Sequence, residues 1–171
     1  MTVGLLIGRY QPFHLGHLGV VKKILEECDQ LIIGIGSAQY SHTGENPFTA
    51  GERLTMISEA LNEEKIPMHK YLIIPIPDIH NNSVWVSHVA SICPEFDVVY
   101  TRNPLATRLF KEAGYKVRQQ PLFDRVKYSG TEIRKRMLQG LGWEGLIPPA
   151  VVKVIRKFGG IERLKSVVGD D

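Results

Sequence analysis

Short apolar runs recur along the chain, each followed by a polar loop and then by a stretch of helical spacing. The runs are Val3-Gly4-Leu5-Leu6-Ile7, Leu31-Ile32-Ile33-Gly34-Ile35, Tyr71-Leu72-Ile73-Ile74-Pro75, Asp97-Val98-Val99-Tyr100-Thr101 and Tyr115-Lys116-Val117-Arg118. The second is almost wholly apolar, as parallel strands are when helices cover both faces. A first helix is expected from about His17 to Glu27, with Leu18, Val21, Ile24 and Leu25 at i, i+3, i+4 spacing. Thr49-Ala50-Gly51-Glu52 has the form of a capping box and announces a second helix, with Leu54, Met56, Ile57 and Leu61 directed inward. A third runs from about Ser83 to Ile92. A fourth begins at Pro104, capped by Asn103, and ends near Ala113, where Gly114 stops it. This alternation predicts an α/β fold: a Rossmann-like, doubly wound sheet of about five parallel strands. The last third adds C-terminal helices: one starting at Ser129, then Ala150 to Phe158 and Ile161 to Val168, split by Gly159-Gly160. No repeat, low-complexity tract or long linker interrupts the chain, so residues 1–171 read as a single domain.

Composition changes this picture little. Hydrophobic residues make up 43% and charged residues 23%, the proportions of a soluble globule with a proper core. A net charge of +3 is too small an excess to argue for nucleic acid, and suits a phosphorylated small molecule equally well. Cys28 and Cys93 lack CxxC or metal-ligand spacing and read as reduced, buried thiols. No metal site of the chain's own is expected. No basic leader precedes an apolar segment, and no apolar stretch nears about 18 residues, so a cytoplasmic protein with no membrane partner is expected.

The candidate chemistry lies where strands hand over to helices. Ligands of such sheets sit beyond the carboxyl ends of the strands. Gly8 to His17, GRYQPFHLGH, follows the first strand there and holds Arg9, Gln11, His14 and His17, all able to donate hydrogen bonds to phosphate. His14 and His17 flank Gly16, where a missing Cβ lets a ligand or backbone come close. The loop is neither a Walker A loop nor a dinucleotide fingerprint, since GxxxxGK[ST] and GxGxxG are both absent from it. Late in the chain, Ser129-Gly130-Thr131-Glu132-Ile133-Arg134 puts hydroxyls, free N–H groups and an arginine at one helix start. Ser129 and Glu132 would also satisfy a capping box. Arg53 could be half of an exposed pair with Glu52 or could meet a phosphate. Trp85 could fill core or stack on a base. Tyr40 to Pro47 reads as a mobile polar loop.

Taken together, His14-Leu15-Gly16-His17 and Ser129-Gly130-Thr131-Glu132-Ile133-Arg134 resemble the paired motifs of the HxGH nucleotidyltransferase superfamily. With Ser37-Ala38-Gln39, the phrase NPFTAGER from Asn46 to Arg53, DIHNNSVW from Asp78 to Trp85, and Tyr128-Ser129-Gly130-Thr131, the chain resembles the archaeal-type nicotinamide-nucleotide adenylyltransferases over roughly residues 3–168. The resemblance implies transfer of AMP from ATP to nicotinamide mononucleotide (NMN), giving NAD and pyrophosphate with Mg²⁺ as cofactor. Direct displacement is implied, with no enzyme-bound intermediate. It implies catalytic roles for His14, His17 and Arg134. Arg9, Gln11, Phe13, Gly16, Ser129 and Thr131 would bind ATP, while Asp78, Asn82, Trp85, Phe48, Thr49 and Arg53 would belong to the NMN side. It also implies a homo-oligomer, often a hexamer. One departure stands out: some relatives carry an arginine just before the position of Asn46, where this chain has Glu45, so no phosphate contact is assigned to that loop.

Two alternatives remain at this stage. The same chemistry could act on another phosphorylated acceptor, such as FMN or phosphopantetheine, although Trp85 and Asn82 favour nicotinamide. A nucleotide-binding regulator could keep the pocket and lose turnover. A class I aminoacyl-tRNA synthetase would need a longer chain than 171 residues.

Overall fold

A computed structural model of the protein describes residues 1–169. Strand β1 (Val3–Gly8) leads to helix α1 (Leu15–Leu25), β2 (Gln30–Ile35) and α2 (Ala50–Glu63). There follow β3 (Tyr71–Pro75), α3 (Asn82–Ile92), β4 (Val98–Tyr100), α4 (Pro104–Glu112) and β5 (Lys116–Arg118). Helices α5 (Gly130–Gln139), α6 (Pro149–Lys157) and α7 (Gly160–Val168) complete the described chain.

The five strands form one parallel sheet in the order β3-β2-β1-β4-β5. From β1 the chain winds outward through β2 and β3, then returns to the other side of β1 as β4. The crevice at the carboxyl ends of β1 and β4 is therefore the topological switch point, where ligands of open α/β sheets bind.

Alternate residues of the central strands point to opposite faces, which is why the runs are apolar throughout. Leu6, Leu31 and Ile33 join a core with Val21 and Ile24 of α1, Met56 and Ile57 of α2, and Ile133, Val151 and Leu164 of the last three helices. Leu5, Ile32 and Val99 face the other way, onto Val86 and Val89 of α3 and Phe110 of α4. Ile32 is fully buried, so Ile32→Ala would cost about 2–5 kcal/mol.

Two local details depart from the sequence expectation, and a third adds to it. Helix α1 begins at Leu15 with His14 as its cap, so His17 sits inside the first turn rather than at the start. On α2 the inward stripe is Arg53, Met56, Ile57, Ala60 and Leu61, and Leu54 is only half-buried. The polar stretch after Tyr40 closes on itself, with the His42 N–H donating to the Pro47 carbonyl and the Thr43 N–H to that of Asn46. The capping box at Thr49 and the Asn103 cap form as expected. Cys28 and Cys93 are free and buried. No described helix is long and apolar enough to cross a membrane.

Candidate active site

Two clefts open at the carboxyl edge of the sheet, one of about 550 Å³ and one of about 360 Å³. They meet: Ile7, Arg9, Thr101 and Asn103 line both.

The first cleft lies between the start of α1 and the start of α5. His14 and His17 cap α1 reciprocally. The His17 N–H donates to His14 Nδ1 at 3.2 Å, and the His14 N–H donates to His17 Nδ1 at 3.1 Å. The rings stack at 3.5 Å between centroids, with Phe13 beneath His17 and Tyr10 edge-on to it. Because each Nδ1 accepts a backbone hydrogen, each neutral ring must carry its proton on Nε2. Burial lowers His14 to about 4. Burial, and then the charge of His14, lowers His17 well below the usual histidine value. At neutral pH both are uncharged Nε2–H donors, unsuited to act as cations.

Opposite them, Ser129 Oγ accepts from the Glu132 N–H. The expected box is only half made, because the Glu132 carboxylate pairs with Arg136 instead. Gly130 and Thr131 follow the cap, and their N–H groups, without intrahelical partners, belong to the cleft wall. A Cβ at Gly130 would lie 2.7 Å from Arg134 Nη1 and 3.2 Å from the Gln11 carbonyl, so a side chain there would displace the Arg134 guanidinium. Those two groups hydrogen-bond to each other at 2.7 Å, joining the two motifs across 123 residues. Burial first, then the charge of Arg9, lowers the Arg134 pKa, while Glu45 acts in the opposite direction. The cleft is lined by Arg9, Arg102, Arg125 and Arg134 and by no carboxylate. Such a surface suits an anion.

The second cleft is assembled from the loops after β2 and β3 and the faces of α3 and α4. Asp78 is held from two sides. Ser37 Oγ donates to its carboxylate at 2.7 Å, and the Gln39 amide exchanges two hydrogen bonds with its backbone at 2.9 Å each. Asn82 opens α3. Trp85, one turn further on, is half-buried, edge-on to Phe110, and lines the cleft beside Asp78 and Asn82. Tyr10, Ser37 and His80, in the loops after β1, β2 and β3, all have positive φ, near +50°. Non-glycine residues hold that conformation at a cost of about 1–3 kcal/mol and tend to do so at ligand sites.

Of the residues nominated from the sequence, the first cleft brings together Arg9, Gln11, His14, Gly16, His17, Ser129, Thr131 and Arg134, and the second Asp78, Asn82 and Trp85. Four others are elsewhere. Phe13 is fully buried beneath His17. Phe48 is fully buried, and its backbone exchanges hydrogen bonds with the Gln11 amide. That exchange occupies Gln11 as well, although the residue reaches the cleft wall. Thr49 is spent on capping α2. Arg53 is neither an exposed partner of Glu52 nor a ligand group. It is fully buried, and its guanidinium donates to five backbone carbonyls. Glu52 pairs instead with Arg163 of α7, at 2.6 and 3.0 Å. Burial works to raise Glu52, but hydrogen bonds from Arg163 and Thr49 outweigh it and hold the carboxyl below its usual value.

Sequence reasoning missed Ser37 and Gln39 as the supports of Asp78, and Thr101 and Asn103 as the seam between clefts. Ser37 and Gln39 carry a signal in the Ser37-Ala38-Gln39 motif of the resemblance, whereas for Thr101 and Asn103 the local signal is position, directly after β4. For Arg53 a signal existed: residues 53, 56, 57, 60 and 61 share one helix face at i, i+3, i+4, i+7 and i+8.

The family model described as cytidylyltransferase-like matches residues 5–136. The chain is 54% identical to a nicotinamide-nucleotide adenylyltransferase of Archaeoglobus fulgidus, over 96% of this chain and 97% of that one. It is 53% identical to one of Methanosarcina barkeri, over 100% of this chain and 97% of that one. Among solved structures it superposes, with a TM-score of 0.80 and 22% identity, on a bifunctional NMN adenylyltransferase/ADP ribose pyrophosphatase from Francisella tularensis complexed with AMP and Mn ion. That match covers 98% of this chain and 52% of the other, so the chain spans about half the length of that neighbour, and the likeness is one of fold.

Proposed function

The chain belongs to the cytidylyltransferase-like family, and from that premise we propose that it is a nicotinamide-nucleotide adenylyltransferase, moving AMP from ATP to NMN to give NAD and pyrophosphate. One observation carries the proposal: a donor-lined cleft without a carboxylate meets a second, aromatic cleft at Arg9, Thr101 and Asn103. A triphosphate suits the first, and a nucleotide with a flat ring suits the second. Full-length likeness to archaeal enzymes of that name supports the same acceptor.

In the reaction, an oxygen of the NMN 5′-phosphate attacks the α-phosphorus of ATP. The new O–P bond forms as the bond to the bridging oxygen of the β-phosphate breaks, and pyrophosphate leaves with that electron pair. The nucleophile is already ionised, so no general base is needed. The work left to the protein is alignment and charge stabilisation. His14 and His17 serve as Nε2–H donors to phosphate oxygens around the reacting phosphorus. Arg134 and Arg9, with the N–H groups at the start of α5, take up charge on the triphosphate and the departing pyrophosphate. Trp85 stacks on the nicotinamide ring, with Asp78 and Asn82 beside it.

Mg²⁺ belongs to this proposal as a companion of ATP. Among the described residues no three His, Cys, Asp or Glu side chains converge as metal ligands. The ion would be carried on triphosphate oxygens and water, the ligands Mg²⁺ keeps in many nucleotide sites. The proposal extends to a cytoplasmic homo-oligomer, hexameric by resemblance, and sedimentation velocity would measure its size.

The test is a product assay with purified protein, ATP and Mg²⁺, offering NMN, its deamidated form, FMN and phosphopantetheine in separate reactions. Stoichiometric NAD and pyrophosphate with NMN are expected. Turnover with another acceptor alone would keep the phosphate chemistry and discard the acceptor. Tight ATP binding with no turnover anywhere would favour a sensor.

A further inference from the structure

A guanidinium buried without a carboxylate is costly, and an apolar side chain would fill the same space without that cost. Arg53 is such a group. It is 0% exposed, and among the described residues it belongs to no ion pair. Its hydrogen bonds go instead to carbonyl oxygens of three separate segments. Nη1 donates to Arg9 and Gly36, each at 2.9 Å. Nη2 donates to Ser37 at 3.2 Å and to Tyr40 at 3.4 Å, and Nε donates to Thr49 at 3.2 Å.

The location of those carbonyls matters for the reaction. Arg9 lines both clefts, and Gly36 and Ser37 line the second. Ser37 in turn holds the Asp78 carboxylate through its hydroxyl. One buried side chain thus spans the gap between the loop that carries the phosphate-side arginine and the loop that supports the acceptor-side carboxylate. By drawing these carbonyl oxygens inward, it also turns the negative ends of three peptides away from a crevice that must accept phosphates. Burial, and then the charge of Arg9, lowers its pKa to about 10, against the weaker pull of the Asp78 and Glu52 carboxylates, neither of which pairs with it. It therefore remains charged at neutral pH.

Resting on the adenylyltransferase proposed above, we propose that Arg53 is a positioning residue for the transfer: it touches neither substrate and sets the alignment of the NMN phosphate with the α-phosphorus of ATP by fixing the Arg9 and Ser37 loops to each other. Each substrate is held by its own cleft, so misalignment should lower turnover more than it weakens binding. Arg53→Met and Arg53→Lys would be purified as the full chain, checked for native circular dichroism, and compared with wild type for kcat and for both KM values. Arg53→Met should lose about 10²-fold in kcat, the scale of an ångström-sized misplacement, with each KM within about threefold. Arg53→Lys keeps the charge but lacks the planar fork, and should lose roughly tenfold.

A folded Arg53→Met with kcat within about threefold of wild type would overturn the positioning role. So would an unchanged kcat with a raised KM for one substrate, which would mark a local role in that cleft. If Arg53→Met does not fold, the split of kcat against KM in Arg53→Lys decides the matter by the same criteria. Wild-type protein inert toward NMN is a separate result: it would overturn the assigned function, and the positioning role with it.

Discussion

The two motifs that face each other across the first cleft are each contiguous in sequence, with Thr101 to Pro104 closing one side, while the second cleft is stitched together from segments far apart in the chain. In the first, His14 and His17 cap each other three residues apart, and Ser129, Gly130 and Thr131 open a single helix. In the second, Asp78 is held by Ser37 and Gln39, 41 and 39 residues earlier, and Trp85 packs against Phe110 of another helix. The chemistry differs in the same way. The first wall offers arginines and N–H donors and no carboxylate, whereas the second offers aromatic surface, amides and one aspartate. A polyphosphate can be recognised by charge and donor geometry that short motifs encode. A ring has to be recognised by shape, and shape comes from packing.

The largest effect expected from this contrast is on the donor side. His17→Ala should lower kcat by about 10²- to 10³-fold, the loss measured when one transition-state donor is removed. It also removes half of the reciprocal cap, so a stability loss of about 1 kcal/mol should appear in urea titrations. Near-wild-type turnover in the folded variant would make the first cleft a binding surface only. On the other side, Trp85→Ala should raise the KM for NMN roughly tenfold through lost stacking, with the KM for ATP unchanged. If both KM values moved together, the two clefts would not be separable as described.

The histidine pair makes a pH prediction whose sign follows from the direction of its shifts. The folded protein holds His14 neutral down to about 4, whereas the unfolded chain takes up a proton near the ordinary value of 6.5. Between those values the unfolded state binds more protons, so stability falls as pH drops from 6.5 toward 4 and is insensitive to His14 above 6.5. His14→Asn retains a capping oxygen and removes the titration. Compared with it, wild type should lose about 1.4 kcal/mol more per pH unit across that window, measured by urea unfolding. Equal slopes would mean that the imidazole is not held neutral by the fold. The smallest effect is ionic. Raising salt from about 0.05 to 0.3 M should lift the KM for ATP by roughly threefold and that for NMN by less, since the arginines crowd the first cleft.

The legibility of each cleft from sequence follows the same division. The pair of histidines around Gly16 and the Ser129 cap are readable because their partners lie within one helical turn, whereas the partner of Arg134, the Gln11 carbonyl, lies 123 residues away. For Arg53 the sequence leaves an exposed pair with Glu52 and a phosphate contact open, and the resemblance puts it on the NMN side; none of these anticipates its burial. In the structure Glu52 reaches Arg163, 111 residues on, while Arg53 points along the buried stripe of α2. Phe48 and Thr49 are nominated as ligand groups from the sequence, but Phe48 is bound to the Gln11 amide and Thr49 caps α2, while Gln11 also reaches the wall of the first cleft. The Gln11–Phe48 contact spans 37 residues and no spacing rule reports it, whereas the Thr49 cap is the local one its spacing announces.

The order of strands and helices, the loops at their carboxyl ends and the two helix-start motifs proposed to hold phosphate were determined by the sequence alone, because apolar period, caps and turn residues act within a few positions. Only the tertiary structure decided which charges are spent inside the protein and which face a ligand. Desolvation depends on what packs around a group, and for Arg53, Glu52 and the two histidines those neighbours are assembled by the winding of the sheet about β1.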